Sequence, residues 1–436
     1  MNTNILYQRF QGIKKYFFNT FWLLADQGQK LIFSFVVGIF VVRYLGPAEY
    51  GKFSFATGFV GLFAAISQMG LASIVVRDIV KKRFELNQIM GAAWALQFFG
   101  GLMTFALASL SSFFLGSSDT VKYLVVIISS AEAIKSFSVI QLYFEAKIRT
   151  KNLAKVSLFQ SIVTTSIKAA LIIFQADVLW FGVVVLIDTI LAAIGLVFIY
   201  RWEGRKIFDW KIKKTVLIKI LKDSWPLVFY GMAINVQGKI DQVMLGNMVG
   251  EEVVGQYSIA MRICGIVVMI PFMVQKSLAP SIADAKTKGE LIYRPRLLNL
   301  YRLFFLMFLV FGGSTFLVSE TLVVMIYGTE FQEAGMLLSL FAIKMLFNFM
   351  GIAKSVFITN EDLFKHGMLA AIVSAIVNVS ANFFLIPLYE SKGAILATII
   401  SHTCFVFIID LINPKARNNL GLMVNGMLTF FKLQKI

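Results

Sequence analysis

Apolar runs of about twenty residues recur along nearly the whole 436-residue chain, and they constrain its fold more than any motif does. A helix needs ~20 mostly apolar residues to cross the hydrocarbon core of a bilayer. About twelve such runs can be read, near 22–44, 52–76, 89–113, 122–143, 154–174, 178–200, 225–248, 253–275, 298–319, 333–357, 366–387 and 393–412. Short polar breaks such as Gly116-Ser-Ser-Asp119, Gln175-Ala-Asp177 and Gly250-Glu-Glu252 separate them, and no soluble domain fits between. Hydrophobic residues make up 58% of the chain and charged residues 15%. Soluble domains run nearer ~45–50% and ~25%. A soluble enzyme, a disordered chain and a disulfide-stapled secreted domain are excluded. The expected fold is an all-α integral membrane protein.

The formal charge of +17 has a topological explanation. With the N-terminus inside, 31 of the 41 Lys and Arg residues fall on inner segments and four on outer ones or outer helix ends. This is the positive-inside pattern. It predicts an even number of spans with both termini cytoplasmic, and it removes any need for a nucleic-acid partner. The first apolar run is too long for a signal peptide and lacks a small-residue cleavage site, so it is expected to stay as the first helix. Tyr7–Asn19 reads as an interfacial amphipathic segment, and the tail after Pro414 as a similar one. Cys264 and Cys404 lie in apolar runs without metal or disulfide spacing and read as buried packing residues.

The longest loop divides the chain. Expected parts are an N-terminal six-helix lobe (1–200), a basic cytoplasmic linker (201–224), a C-terminal six-helix lobe (225–412) and a cytoplasmic tail (413–436). The lobes share a segment: Gly46-Pro-Ala-Glu-Tyr-Gly-Lys-Phe-Ser-Phe-Ala56 aligns with Gly250-Glu-Glu-Val-Val-Gly-Gln-Tyr-Ser-Ile-Ala260. Each copy follows the first span of its half and reads as a tight outer hairpin in which glycine permits the turn. An even span number per half predicts a parallel repeat, with substrate held between the halves.

Six cations remain inside spans: Lys30, Lys135, Lys168, Lys239, Arg262 and Lys344. Each costs ~2.5–3.5 kcal/mol at a helix centre on insertion scales. Asp26 and Lys30 are i,i+4 and Glu132 and Lys135 are i,i+3, so each pair can close on one helix face. Asp241 lies two residues from Lys239, on another face. Lys168, Arg262 and Lys344 have no acid at helical spacing in their own span, and Asp188 is a candidate partner from another helix. Polar residues continue these faces: Ser157, Ser161, Thr164 and Thr165 lead to Lys168; Asn235 precedes Lys239 by one turn; Lys344 precedes Asn348; and Ser374, Asn378 and Asn382 form an uncharged stripe. Helix–helix hydrogen bonding explains a neutral stripe equally well. With cations on it, the stripe predicts a hydrated cationic cavity built from Lys30, Lys168, Lys239, Arg262, Lys344, Asn235, Asn348 and Asn378. An anionic amphiphile bearing phosphate or pyrophosphate is the cargo such donors fit. Asp26, Glu132, Asp188 and Asp241 are candidates for ion coupling or plain charge pairing.

No Walker loop, HExxH or Cys–His cluster occurs, so neither an enzyme activity nor a cofactor is expected. His366 and His402 lack an evident partner in the sequence. The basic segment after the second span lacks the glycines of the major-facilitator loop motif.

The string Val41-Val-Arg43-Tyr-Leu-Gly46-Pro47-Ala-Glu49-Tyr50-Gly51-Lys-Phe-Ser-Phe-Ala56, followed by Gly70-Leu71 and Arg77-Asp78, resembles the Wzx-type polysaccharide-transporter flippases of the MOP exporter superfamily. Asp241-x-x-x-Leu245-Gly246, Gly255-x-Tyr257-Ser-x-Ala260, Pro271 and Pro280 continue the resemblance in the second half. It implies a MATE-like fold of two six-helix lobes in the bacterial inner membrane. It also implies alternating-access movement of an undecaprenyl-pyrophosphate-linked oligosaccharide, such as an O-antigen unit, from the cytoplasmic to the outer leaflet. A polysaccharide polymerase and chain-length machinery would be partners, and H+ or Na+ a counter-ion. A MATE-like multidrug and cation antiporter is the alternative, although that branch favours acids in its cavity. A membrane glycosyl enzyme would need an acid or His cluster that is not seen. The lipid II flippase branch typically carries two further helices.

Overall fold

The computed structural model describes the backbone of residues 3–433 and the side chains of Trp22 and of residues 26–433. The amphipathic reading of Tyr7–Asn19 rests on side chains outside the described residues. The described backbone is mostly helical and contains no strands. Its helices are α1 (Thr3–Gln68), α2 (Leu71–Val80), α3 (Leu86–Ser112), α4 (Asp119–Ile134), α5 (Val139–Ala146), α6 (Lys151–Ile173), α7 (Val178–Trp202), α8 (Lys214–Met248), α9 (Glu251–Thr287), α10 (Glu290–Tyr327), α11 (Gln332–Asn360), α12 (Phe364–Thr403) and α13 (Pro414–Leu428).

Among the described residues, nine helical segments are long and apolar enough to cross a membrane. Two of them, 26–80 and 364–411, each contain two of the runs expected from sequence. They are broken by non-helical backbone at Gly46 (φ 69°) and Glu390 (φ 49°). Helix α8 covers the run 225–248 and is absent from the nine. Asn235, Gln237, Lys239, Asp241 and Gln242 make it too polar to count, although it is 35 residues long. Bulky apolar side chains face outward along the segments: Leu317 is 82% exposed, Phe384 68% and Phe99 60%. Water does not tolerate apolar surface on this scale, but lipid does.

The chain forms two compact units, residues 1–45 with 56–235 and residues 46–55 with 236–436. In the first, α2, α3 and α5 pack around Leu71, Val75, Met90 and Phe144, all fully buried. Residues 201–224 are no loose tether. Val216 and Ile220 enter this core, and the Lys211 N–H donates to the Asn87 carbonyl at 3.1 Å. Arg77 and Arg83 fasten the start of α8 by donating to Asp223 at 2.6 and 3.0 Å. The Arg77 guanidinium, helped by Arg83 and Lys219, holds the Asp223 carboxyl below the usual carboxylate range.

The second unit is built on α10, α11 and α13, with Leu300, Phe304, Phe349, Ala353 and Met423 fully buried. The tail packs on this core through Leu420, Leu422, Met423 and Met427. Asn413 caps α13 by accepting from the Lys415 N–H at 3.0 Å, and Pro414 occupies the first turn, where its missing N–H costs nothing.

The repeated segments meet inside this unit. Gly46 and Gly250, equivalent in the alignment, both have positive φ (69° and 147°). A Cβ on Gly51 would lie 1.8 Å from the Glu251 carbonyl oxygen, and one on Gly255 would lie 2.1 Å from the Pro47 carbonyl oxygen. Under the alignment Gly51 corresponds to Gly255 and Pro47 to Glu251, so the two contacts are one contact made twice. Lipid supplies no hydrophobic force between helices, so close backbone approach through small residues is what holds such a crossing.

Candidate functional site

The two units contain separate polar constellations. In the first unit, a cavity of about 260 Å³ lies among α1, the α4–α5 turn, α6 and α7. Asp26, Lys30, Lys135, Ser157, Gln160 and Asp188 line it. Helical spacing accounts for its ion pairs. Lys30 donates to Asp26 at 2.8 Å, and Lys135 pairs with Glu132. Glu132 is 3% exposed and also accepts from Ser67 at 2.6 Å. Gln29 and Gln160 tie the walls together, donating to Ser157 at 3.1 Å and to the Asp188 backbone carbonyl at 3.1 Å. The cavity thus unites Asp26, Lys30 and Asp188 from the sequence set, with Glu132 behind Lys135. Lys168 and Asn235 belong to this unit but do not line the cavity, and both are half-buried.

In the second unit the centre is Asp241 on α8, 3% exposed. Its carboxylate accepts from the Tyr257 hydroxyl at 2.6 Å, Asn382 Nδ2 at 2.7 Å and the Thr398 hydroxyl at 2.5 Å. These donors come from α9 and from the two arms of α12, on either side of the break at Glu390. Among the described residues no cation pairs with Asp241. One turn before Asn382, Asn378 is fully buried and neither its Oδ1 nor its Nδ2 has a partner. Asn382 Oδ1 and Gln242 Oε1 are likewise buried without partners. A buried carboxylate held by neutral donors, with amide oxygens unsatisfied on the same elements, is an oxygen-rich setting for a small hard cation or a proton. Among the described residues, no three His, Cys, Asp or Glu side chains gather into a metal-type cluster. The single charge of Asp241 matches a monovalent ion.

The other candidates of this unit, Lys239, Arg262, Lys344 and Asn348, are half-buried. The Lys344 ammonium lies 5.2 Å from the centre of the Phe341 ring. The Ser374 stripe is partly structural: Ser374 accepts from Gln237 at 2.5 Å and donates to the Ser401 carbonyl at 2.8 Å.

Sequence reasoning missed one network. Lys354, one of the 31 cations counted on inner segments, is buried and donates to Asp410 at 2.6 Å. His366, which had no partner in the sequence, lies 2.9 Å from the same carboxylate. Lys354 also donates to the carbonyls of Phe405 and Val406, at 2.9 and 3.2 Å. Those carbonyls lie in a π-type turn, Cys404–Ile408, where the ordinary helical ladder is interrupted.

Residues 17–286 match the model of a family described as polysaccharide biosynthesis protein. The chain belongs to this family. The match includes both repeated segments and ends within α9. Its fold is similar to those of solved transporters described as belonging to the MOP superfamily. It is similar to lipid II flippase MurJ in an inward closed conformation (14% identity, TM-score 0.69, 94% of this chain and 92% of that one). A multidrug resistance MATE family transporter in an inward-facing conformation gives 12% identity and a TM-score of 0.63, over 95% and 94% of the chains. A MOP superfamily transporter from Pyrococcus furiosus, described as having a binding pocket of reverse polarity, gives 12% and 0.62 over 97% of each. No curated protein matches the sequence significantly.

Proposed function

We propose that this protein is a flippase for an undecaprenyl-pyrophosphate-linked oligosaccharide, an O-antigen unit or a similar surface-polysaccharide repeat. It would carry the unit from the cytoplasmic to the outer leaflet of a bacterial inner membrane by alternating access. The observation that carries the reading is membership of the polysaccharide biosynthesis family through both repeated segments. The intramembrane cations supply the chemistry. Lys30 and Lys168 of the first unit and Lys239, Arg262 and Lys344 of the second are the cations proposed to hold the pyrophosphate, with Asn235, Asn348 and Asn378 as neutral donors to phosphate or sugar. Asp241 takes the counter-ion, H+ or Na+. Asp26, Glu132 and Asp188 hold the charge balance of the first unit. A polymerase and chain-length machinery would consume the delivered units.

The test is translocation of a fluorescent polyprenyl-pyrophosphate oligosaccharide in proteoliposomes. Lys168→Ala, Arg262→Ala and Lys344→Ala should each lower the rate about tenfold or more, the loss of one charge-assisted contact of ~1.5–3 kcal/mol. Full rates in all three would remove the cationic lining. Export of cationic dyes with no lipid translocation would replace the reading with the multidrug antiporter.

A further inference from the structure

A second cavity in the first unit, of about 290 Å³, is lined by Lys82, Lys147 and Arg205 above an apolar floor that includes Phe84, Leu86 and Ile89. It lies apart from every residue assigned above to cargo or counter-ion. No acid lines it, and among the described residues none of its three cations makes an ion pair. Their neighbours do. Arg83 bonds Asp223 at 3.0 Å, and Arg149 bonds Glu203 at 3.1 Å.

The cations arrive by one device used three times. Helices α2, α5 and α7 all end in a Schellman turn. In these the N–H groups of Arg83, Arg149 and Arg205 reach back to the carbonyls of Asp78, Phe144 and Tyr200, at 3.1, 3.0 and 3.2 Å. The turns place Lys82, Lys147 and Arg205 together. Each helix C-terminus contributes roughly −0.5 charge, so three of them reduce the three full positive charges to a net of about +1.5. That is enough to hold the single negative charge of a lipid phosphodiester. The volume is at the lower edge of the ~300–1,000 Å³ typical of ligand sites and suits a headgroup rather than a whole amphiphile. The apolar floor is suited to the glycerol and first acyl carbons.

We propose that this cavity binds the phosphate headgroup of an anionic phospholipid of the inner leaflet, at a site separate from the cargo path. The proposal does not depend on the identity of the cargo. It is tested by native mass spectrometry of the full-length protein released from micelles with equal phosphatidylglycerol and phosphatidylcholine. The comparison is between wild type, the triple variant K82Q/K147Q/R205Q and a charge-matched control, K155Q/K276Q/K365Q. Tryptophan-fluorescence melting confirms folding, because all six Trp residues lie in residues 1–235. Wild type and control should retain phosphatidylglycerol at least fivefold over phosphatidylcholine, and the first variant should lose that preference. Equal loss in both variants would show diffuse attraction and overturn the site. So would retention in both. If millimolar inorganic phosphate displaced the lipid and raised the melting temperature of wild type alone, the cavity would be a free-anion site and the lipid proposal would fall.

Discussion

Asp241→Ala and Asp241→Asn should behave in opposite ways, and the difference separates packing from ion binding. Alanine strands the donors that now face the carboxylate. The Thr398 hydroxyl has a second acceptor, the Ala394 carbonyl at 3.0 Å, but Tyr257 and Asn382 lose theirs. Each buried unpaired donor costs ~1–3 kcal/mol, so the loss is about 2–6 kcal/mol in total. Against a usual total of ~5–15 kcal/mol this is enough to destabilise the second unit. Asparagine keeps the shape. Its oxygen can accept from Asn382, and its nitrogen can donate to either hydroxyl, so the cost should be near ~1 kcal/mol. The charge is lost, and with it the proposed affinity for a monovalent cation. Unfolding of this unit can be followed with a thiol-reactive fluorophore, since Cys264 and Cys404 are both buried in it. Melts are run in sodium chloride against choline chloride at equal ionic strength. Sodium at a hundred times its dissociation constant should stabilise the wild type by ~2.7 kcal/mol and leave Asp241→Asn unmoved. Identical melts of the wild type in sodium and in choline across pH 6–8, or an equal sodium response in Asp241→Asn, would refute sodium binding at Asp241.

Three more perturbations test the architecture. Gly255→Leu and Gly51→Leu must each push the crossing backbone away by an ångström or more, since even a Cβ would fall 2.1 and 1.8 Å from a carbonyl oxygen. Both should lower thermal stability and folded yield alike, and a normal melt for either would break the reciprocal contact. Lys354→Met leaves Asp410 buried with only His366 beside it and should cost ~3–5 kcal/mol. The double variant Lys354→Met with Asp410→Asn should recover much of this, and no recovery in thiol-reactive melts would mean the pair is not coupled. Asp223→Asn removes a carboxylate whose pKa is depressed in the folded protein, so the stability it contributes is present above the unfolded value of ~3.9 and fades as the pH falls through the folded value. Protease sensitivity of residues 201–213 should therefore exceed wild type at pH 7, and the difference should vanish well below pH 4. A difference that persists at acid pH would contradict the clamp.

The membrane architecture was legible because lipid imposes a length and a polarity on every crossing. The pairs Asp26–Lys30 and Glu132–Lys135 were legible because three- and four-residue spacing places partners on one helix face. The repeat was legible as matching glycines, but only the structure brings Gly51 onto Glu251 and Gly255 onto Pro47. What surrounds Asp241 could not be read in advance. Its donors Asn382 and Thr398 lie 141 and 157 residues away, on the two arms of a broken helix. Nothing in a local pattern distinguishes Thr398 from any other polar residue in an apolar run. The Lys354–Asp410–His366 network was hidden for the same reason, and Lys354 counted simply as one more inner-side cation. The folding of residues 201–224 onto the first unit was masked by their charge, which drew attention away from Val216 and Ile220.

The most direct test of the central claim is mass spectrometry of polyprenyl-linked intermediates in a bacterial strain deprived of this protein. The flippase account predicts accumulation of one complete pyrophosphate-linked repeat unit, confined to the cytoplasmic leaflet, with loss of the surface polymer. Unchanged intermediates and normal surface polymer, accompanied by altered drug sensitivity, would contradict it.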